Sequence, residues 1–375
     1  MNAFDPTSPI LVIALSGRML ASMLRQAGYS SVVVDCFGDI DTPSQHAIRV
    51  TSLALSDIQV AVEHMIRQYA VMHFVYGSGF ESQAASLSYL ENRLHNWGNS
   101  FDLFSRFLDK PAFFSQLCQL DIPHPQTVFS PPQDGSDWLT KPLQGCGGTD
   151  IRRFQPGQPF EDLNYYWQRY QPGEVHSLLF SANRGRIQCL GFNQQWTCHQ
   201  HVHEFVFAGV ANQANLAPSI KTTIQAWLTR LIRIYPLQGL GSLDFIVQDD
   251  RCFFLEINPR IPASAQLYGP QAMLIHLASC AGQPLEYVAS TRAQGYQIVY
   301  LKQDILIPQE WRWPNWVVDQ PAGGAFIGKG QPVCSIIAGG KNADQVRQRL
   351  QRLKYIFKTL LLTGLYPHAI SGERQ

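Results

Sequence analysis

Charge is scarce in this chain of 375 residues: Asp, Glu, Lys and Arg together account for 15 %, against about a quarter in an average globular protein. The surface must therefore draw on Gln, Ser, Asn and aromatic side chains. The formal net charge is +1, so neither a nucleic-acid groove nor an anionic membrane surface finds the basic excess it requires. The eight cysteines are scattered, with no C-x-x-C pair, and read as small core residues of a reduced protein. No run of 18 uncharged apolar residues is present to cross a membrane. The N-terminus lacks the charged, apolar and small-residue order of a secretory signal, and the expectation is a cytoplasmic protein. Repeats, low-complexity tracts and a G-x-G-x-x-G are absent too, which leaves a dinucleotide-binding reading with little support.

What is present is an apolar content of 45 %, enough for a sizeable core over a length that suits two or three domains. Pro9–Leu15 is a continuous apolar run of the kind that fills a strand buried on both faces of a parallel sheet. A helix over Arg18–Ala27 stopped by Gly28, a strand over Ser31–Val34 ending at Asp35, a helix over Leu55–Tyr69 and a strand over Val71–Tyr76 follow. That order predicts an α/β, doubly wound N-terminal sheet with loops open to ligands at the carboxyl ends of its strands. The glycines of Tyr76–Glu81 sit at one such end, either against a ligand or as plain turn residues. Beyond it, Phe101–Leu120 has a helical pattern. Trp138–Pro142 reads as a strand, as do Tyr165–Tyr170 and Glu174–Ser181 on either side of a Pro172-Gly173 turn. Gly241–Val247 and Cys252–Ile257 form a hairpin around Asp249 and Asp250. The organisation expected is 1–95, 96–280 and a tail module over 281–375.

Three groups of residues carry chemistry. In the hairpin, Glu256 and Asn258 alternate onto one face. A three-residue loop would set Asp244 across from Glu256, whereas a two-residue loop would put them on opposite faces, and the register stays open. If the faces agree, two carboxylates and an amide oxygen form a hard-oxygen set suited to Mg²⁺, and Arg260 can clamp an anion with its planar fork. The competing reading is a hairpin whose charges face water, although Phe253-Phe254-Leu255 makes the strands themselves apolar. Second, Lys141 ends a strand beside Gly145, Gly147 and Gly148. Backbone N–H groups of such a loop can approach phosphates and the ammonium adds a point charge; a plain surface loop is the alternative. Third, Lys110 lies on or before a helix, and alone it is an ordinary surface lysine.

Taken together these residues resemble the ATP-grasp superfamily over roughly residues 100–280. The order is a lysine before a helix ending in Ile-Pro-x-Pro, Lys-Pro with a glycine loop, a hinge-like strand (168–174), and Asp244 with Glu256-x-Asn258-Pro259-Arg260. The resemblance implies an ATP-grasp fold over 96–280, with a lid subdomain at about 125–185. A Rossmann-like domain would precede it over 1–95 and a C-terminal module over 281–375 would complete it. It implies that Lys110 and Lys141 contact the ATP phosphates, that Gly145–Thr149 forms a mobile lid, and that Gln168, Tyr170 and Glu174 line the adenine and ribose side. Asp244, Glu256 and Asn258 would hold Mg²⁺, with Mn²⁺ as a substitute, and Arg260 would face an acyl-phosphate, making Arg260 and Lys141 the catalytic pair. One departure is that the hinge position that is often Glu is Gln168 here.

Tyr76–Glu81, Gly98-Asn99 and Gly147-Gly148 look most like the carboligases related to biotin carboxylase, a group with members in tetrahydromethanopterin- and methylofuran-linked one-carbon metabolism. The implied activity is an ADP-forming carboxylate–amine ligase acting on small molecules through an acyl-phosphate, with no nucleic-acid or membrane partner; a homodimer is the expected assembly. A biotin-carboxylase-like enzyme, an amino-acid or peptide ligase, and a non-catalytic ATP-binding regulator are the alternatives. Retention of both lysines, both carboxylates and Asn258 argues against the last.

Three features outside this set have plainer readings. Cys198, His199, His201 and His203 form a cluster whose three histidines would share one strand face that could bind a transition metal, but no second cluster completes a tetrahedral site, and the place just before Phe205–Val210 makes pocket lining the preferred reading. Trp311–Trp316 is aromatic and basic, and is expected to be a packed loop. The basic helix over Ala343–Leu362 is expected to present a solvated face.

Overall fold

The computed structural model describes residues 8–135, 137–156, 164–198, 204–283 and 285–363. Its N-terminal part is a parallel sheet of β1 (Ile10–Ala14), β2 (Ser31–Asp35), β3 (His46–Arg49), β4 (His73–Tyr76) and β5 (His95–Asn96) in the order β3-β2-β1-β4-β5. Every residue of β1 and β2 is buried, as their uninterrupted apolar runs require when helices cover both faces. α1 (Arg18–Gln26), α2 (Leu55–Tyr69) and α3 (Ala84–Glu91) supply that cover. The strand order turns at β1, so the loops after β1 and β4 flank the switch point where such sheets receive ligands.

The helical stretch expected over Phe101–Leu120 is broken in two. α4 (Phe101–Leu108) ends at Asp109, whose side chain accepts from the Ala112 amide at 3.1 Å, and α5 (Lys110–Gln119) starts with Pro111 in its first turn. A capping aspartate and a proline with no N–H to give are start signals, so the chain begins a second helix rather than continuing the first.

The small antiparallel sheet is β6 (Thr127–Val128), β7 (Trp138–Pro142), β8 (Arg152–Arg153) and β9 (Tyr165–Arg169), ordered β6-β9-β7-β8. The large sheet begins with β10 (Glu174–Asn183), β11 (Arg186–Thr197), β12 (Phe207–Asn212), β13 (Gly239–Gln248) and β14 (Arg251–Asn258). The strands beside Pro172-Gly173 do not pair with each other: β9 stays in the small sheet and β10 runs into the large one. Gly173 marks the crossing at φ +138°, and a Cβ there would lie 2.4 Å from the Val247 carbonyl oxygen, so only glycine fits.

One face of the large sheet packs on α6 (Pro218–Ile234), with Ile224, Leu228 and Leu231 against Leu178, Phe180, Leu243, Phe245, Phe254 and Ile257. α7 (Pro270–Cys280) lies on the other, where His276 ties three segments. Its Nδ1 accepts from the Leu240 amide at 2.9 Å, so its Nε2 carries the proton and donates to the Trp97 carbonyl at 2.8 Å.

The C-terminal stretch extends the same sheet. β15 (Ala293–Tyr300) pairs with β12 and with β19 (Pro332–Gly340), and β17 (Val317–Val318) forms the edge, while β16 (Ile305–Leu306) and β18 (Phe326–Ile327) make a separate ribbon. α8 (Ala343–Thr363) buries Val346, Leu350, Phe357 and Leu361 against this end, leaves Arg349 and Arg352 exposed, and lays Arg347 over the Trp196 ring, 5.4 Å from its centroid. Trp313 stacks on Phe357 at 5.9 Å, with Trp311 and Trp316 edge-on to the same ring; the aromatic and basic stretch is a packed loop. No helix among the described residues is long and apolar enough to cross a membrane.

Candidate active site

The hairpin of β13 and β14 resolves the register question in a way neither loop length anticipates. Its loop is two residues, Asp249 and Asp250, with Gln248 paired to Arg251 and Asp249 at φ +52°. Continued without interruption, that pairing would set Asp244 across from Leu255 and turn Glu256 to the core face. A β-bulge leaves Leu255 unpaired and shifts the ladder by one, so Asp244 stands across from Glu256 and Ser242 across from Asn258. An extra residue on one strand re-aims every side chain beyond it. Here it keeps Leu243, Phe245, Phe254 and Ile257 in the core while bringing both carboxylates to the opposite face.

These side chains form a linked set. Asn258 Nδ2 donates to Asp244 Oδ2 at 3.3 Å and to Ser242 Oγ at 3.2 Å, and Gln195 Nε2 reaches Asp244 Oδ1 at 3.5 Å. Arg260 donates Nη2 to Asn258 Oδ1 at 3.1 Å and Nε to Glu81 Oε1 at 2.8 Å, and Glu81 Oε2 accepts from the Gly79 amide at 2.7 Å. Burial, then the neighbouring Glu256, push Asp244 up to about 7 despite Arg260, Ser242 and Gln195. Burial alone would raise Glu81, but the Arg260 guanidinium outweighs it and holds that carboxyl below its usual range.

Opposing carboxylates with too little compensating charge, beside an amide oxygen, fit a hard divalent cation such as Mg²⁺. Asn258 Oδ1 is shared with Arg260 in this arrangement, so Asp244 and Glu256 are the primary oxygen donors.

The small sheet faces this set with Lys141 at the end of β7. Its Nζ donates to Gln168 Oε1 at 2.8 Å, and Gln168, fully buried on β9, donates Nε2 to Thr127 Oγ1 at 3.1 Å. Burial takes Lys141 down to about 8; Glu256 opposes that shift and Lys110, the first residue of α5, adds to it. With an amide where a carboxylate would pair it, the ammonium has no counter-ion among the described residues of its own sheet and is open to an anion.

The glycine loop is folded back on the large sheet. Gly147 and Gly148 take φ +65° and +73°, the Phe207 amide donates to the Gly147 carbonyl at 2.9 Å, and a Cβ on Gly148 would lie 2.2 Å from the Phe205 carbonyl oxygen. Gly145 packs on Pro142, where a Cβ would come within 2.5 Å of the ring.

The structure thus gathers Lys110, Lys141, Gln168, Asp244, Glu256, Asn258 and Arg260 with the loop of Gly145, Gly147 and Gly148. Two further expected residues make other contacts. Tyr170 packs under Arg153, whose guanidinium lies 4.7 Å from the ring centroid. Glu174 is exposed at the start of β10, 3.4 Å from His176, on the face opposite Ser177 and its partner Asp244. Cys198 follows β11, while His199, His201 and His203 lie outside the described residues.

Residues that sequence reasoning did not assign are Glu81, Asn99, Gln195 and Tyr166. Asn99 donates Nδ2 to the Pro259 carbonyl at 2.9 Å and accepts from the Gln238 amide at 2.8 Å, which anchors the turn that carries Arg260. Tyr166 is buried beside Glu256, and burial followed by that charge raises its hydroxyl above the ordinary range. The strand-end position of Tyr76–Glu81 was a signal for Glu81; partners from distant strands leave no spacing to read.

A Rossmann-like sheet, a small lid-like sheet and a large antiparallel sheet that close on lysines, carboxylates and an arginine define an ATP-grasp architecture. Residues 108–264 match the ATP-grasp domain family, so this stretch of the chain is an ATP-grasp domain. It is similar to the L-amino acid ligase of Bacillus licheniformis, with 13 % identity, a TM-score of 0.69, and coverage of 94 % of this chain and 98 % of that one. It is also similar to the biotin carboxylase domain of the Hydrogenobacter thermophilus 2-oxoglutarate carboxylase, solved with MgADP and bicarbonate. There the identity is 12 %, the TM-score 0.69, and the coverage 92 % and 89 %. Among curated proteins it matches the carbamoyl phosphate synthase large chain of Synechocystis sp., 22 % identical over 236 residues, 56 % of this chain and 22 % of that protein. The chain therefore spans about a fifth of that relative's length.

Proposed function

We propose that the chain is an ADP-forming carboxylate–amine ligase that works with Mg-ATP. The observation that carries the reading is the bulge-set register that brings Asp244 and Glu256 together, opposite Lys141. When bound, the metal would neutralise phosphate charge. Asp244 and Glu256 would hold it, Lys141 and Lys110 would hold phosphate oxygens, and Arg260 would hold the acyl-phosphate. A substrate carboxylate oxygen attacks the γ-phosphorus and ADP departs; the amine nitrogen then attacks the acyl carbon, phosphate departs and the nitrogen loses a proton. Positioning and charge neutralisation supply the catalysis, with no side-chain nucleophile required. Within this class we favour a small-molecule role in one-carbon carrier metabolism of the tetrahydromethanopterin or methylofuran kind, supported by the resemblance of Tyr76–Glu81, Gly98-Asn99 and Gly147-Gly148 to that group.

The test is ADP release from Mg-ATP across a panel of carboxylates and amines, including glutamate with tyrosine, tyramine and pterin-type acceptors, with Glu256→Ala as control. ADP formed with one acid–amine pair and lost in the variant is the expected result. Failure of the wild-type protein to bind Mg-ATP refutes the reading.

A further inference from the structure

Arg260 belongs to the large sheet, but residues of the N-terminal sheet aim it. It follows Pro259, whose carbonyl accepts from Asn99 Nδ2 at 2.9 Å. Its guanidinium gives Nε to Glu81 Oε1 at 2.8 Å and Nη2 to Asn258 Oδ1 at 3.1 Å. The other oxygen of Glu81 accepts from the Gly79 amide at 2.7 Å. Gly79 has little room to shift: it sits at φ +113°, and a Cβ there would meet Leu15 and Leu53 at 2.6 and 2.7 Å. Gly79 and Glu81 lie just past β4, and Asn99 just past β5.

What the guanidinium is held away from matters as much. A single amide group stands between it and Asp244: Asn258 Oδ1 faces Arg260 Nη2, and Asn258 Nδ2 faces Asp244 Oδ2 at 3.3 Å. Across the ladder from Asp244 stands Glu256. A guanidinium keeps its charge in any protein setting and matches carboxylates with its planar fork. One side chain away from two carboxylates short of positive charge, it would close on them unless another anion held it. Glu81 is that anion. It is ionised because the guanidinium outweighs the burial that would raise it, and both of its oxygens are engaged. Arg260 Nη1 makes no hydrogen bond among the described residues and is left for a ligand anion.

We infer that Glu81 is a positioning residue that keeps Arg260 off Asp244 and Glu256, so that a divalent cation takes those carboxylates while Nη1 serves the substrate anion. The inference rests on the ligase reading for the cation and for the anion, and on the geometry for the role of Glu81.

The test is calorimetric titration of the full chain with the non-hydrolysable ATP analogue AMP-PNP, once with Mn²⁺ and once with EDTA. The ratio of the two affinities measures what the cation adds at the carboxylates, with no turnover required. Glu81→Gln keeps the volume but can accept from only one of its two donors and has no charge to hold the arginine. Its ratio should fall at least about tenfold, the scale of one charge-assisted contact, because the guanidinium then competes with Mn²⁺ for Asp244 and Glu256. Adding Arg260→Gln removes the competitor and should return the ratio to the wild-type range. A merely structural role for Glu81 would weaken both titrations alike and leave the ratio unchanged. An unchanged ratio in Glu81→Gln, or no recovery in the double variant, overturns the positioning role. Should Glu81→Gln fail to fold in urea melts, Arg260→Gln alone decides: its ratio must equal or exceed that of wild type, and a lower one overturns the role. A wild type whose AMP-PNP binding is strengthened by Mn²⁺, with the same ratio in Glu81→Gln, ends the positioning role and leaves the ligase. A wild type that binds no AMP-PNP even with Mn²⁺ ends the ligase reading and the positioning role with it.

Discussion

Replacing Lys141 by methionine should stabilise the nucleotide-free protein while weakening its grip on ATP. A lysine that titrates near 8 instead of 10.5 carries about 3 kcal/mol of unfavourable burial free energy at neutral pH; the half-buried stem leaves some water contact, which lowers this to about 2 kcal/mol. Methionine fills similar volume without the charge, but leaves Gln168 Oε1 without its donor, a loss of about 1 kcal/mol or more. The net expectation at pH 7 is a gain of about 1 kcal/mol, read from urea unfolding, and a larger one in Lys141→Met/Gln168→Leu. The sign with pH is fixed. The unfolded chain holds the lysine proton up to about 10.5 and the folded chain releases it near 8. Wild-type stability therefore rises between those values, and the Met variant lacks that rise. Mg-ATP affinity should move the other way, falling roughly tenfold to a hundredfold as a charge-assisted phosphate contact is lost. A variant destabilised by more than about 2 kcal/mol, or one that binds Mg-ATP as tightly as wild type, would refute the argument that Lys141 is kept buried at a stability cost for the sake of an anion.

Glu256→Gln and Asp244→Asn should each lower kcat by roughly a hundredfold or more and raise the Mg²⁺ concentration needed for half-maximal rate, measured by ADP release. Glu81→Leu strands the Arg260 guanidinium in a buried place, where the two side chains are each 10 % exposed; a loss of about 3 kcal/mol is expected in urea melts. Adding Arg260→Met should recover much of that stability without restoring ADP release. His276, held neutral between Leu240 and Trp97, titrates at about 4 instead of 6.5. Its contribution is intact above pH 6.5 and shrinks by about 3 kcal/mol as the pH falls to 4. His276→Gln should flatten that part of the stability–pH curve, and an unchanged slope would count against the assignment.

Local features read well from the chain because their causes are local. The unbroken apolar runs of β1 and β2, the stop at Gly28 and the alternation of Glu256 and Asn258 all follow from side-chain period and glycine chemistry within a few residues. The same holds for Lys141 beside its glycines. What did not read was set by partners far away in sequence. Phe101–Leu120 has one continuous amphipathic pattern, yet Asp109 and Pro111 divide it, and the start signals outweigh the periodicity. The strands flanking Pro172-Gly173 look like a hairpin by spacing, but β9 finds β6 and β7 while β10 finds β11 and β13. Glu81 reaches Arg260 across 179 positions, which no local pattern encodes.

The hairpin of β13 and β14 shows where the boundary between these cases lies. Its ligand types and its two-residue alternation are visible in the sequence, and its loop length can be estimated. Those facts together still give the wrong face for Glu256, since a two-residue loop alone would bury it among Leu243, Phe245 and Phe254. The core decides instead. Phe254 and Ile257 are three residues apart, an odd spacing that no regular strand can place on one face. Both are nonetheless buried in the same cluster with α6, and only an extra residue between them reconciles the two. Leu255 is that residue, and once it is taken out of the ladder, Glu256 and Asn258 turn toward Asp244 together. The burial of Cys252 and Phe254 in one cluster with Ile257 therefore fixes the bulge, and with it the carboxylate pair on which the proposed chemistry depends, whereas in the sequence Phe253 and Leu255 share the parity of Ile257 and fit an unbulged strand equally well.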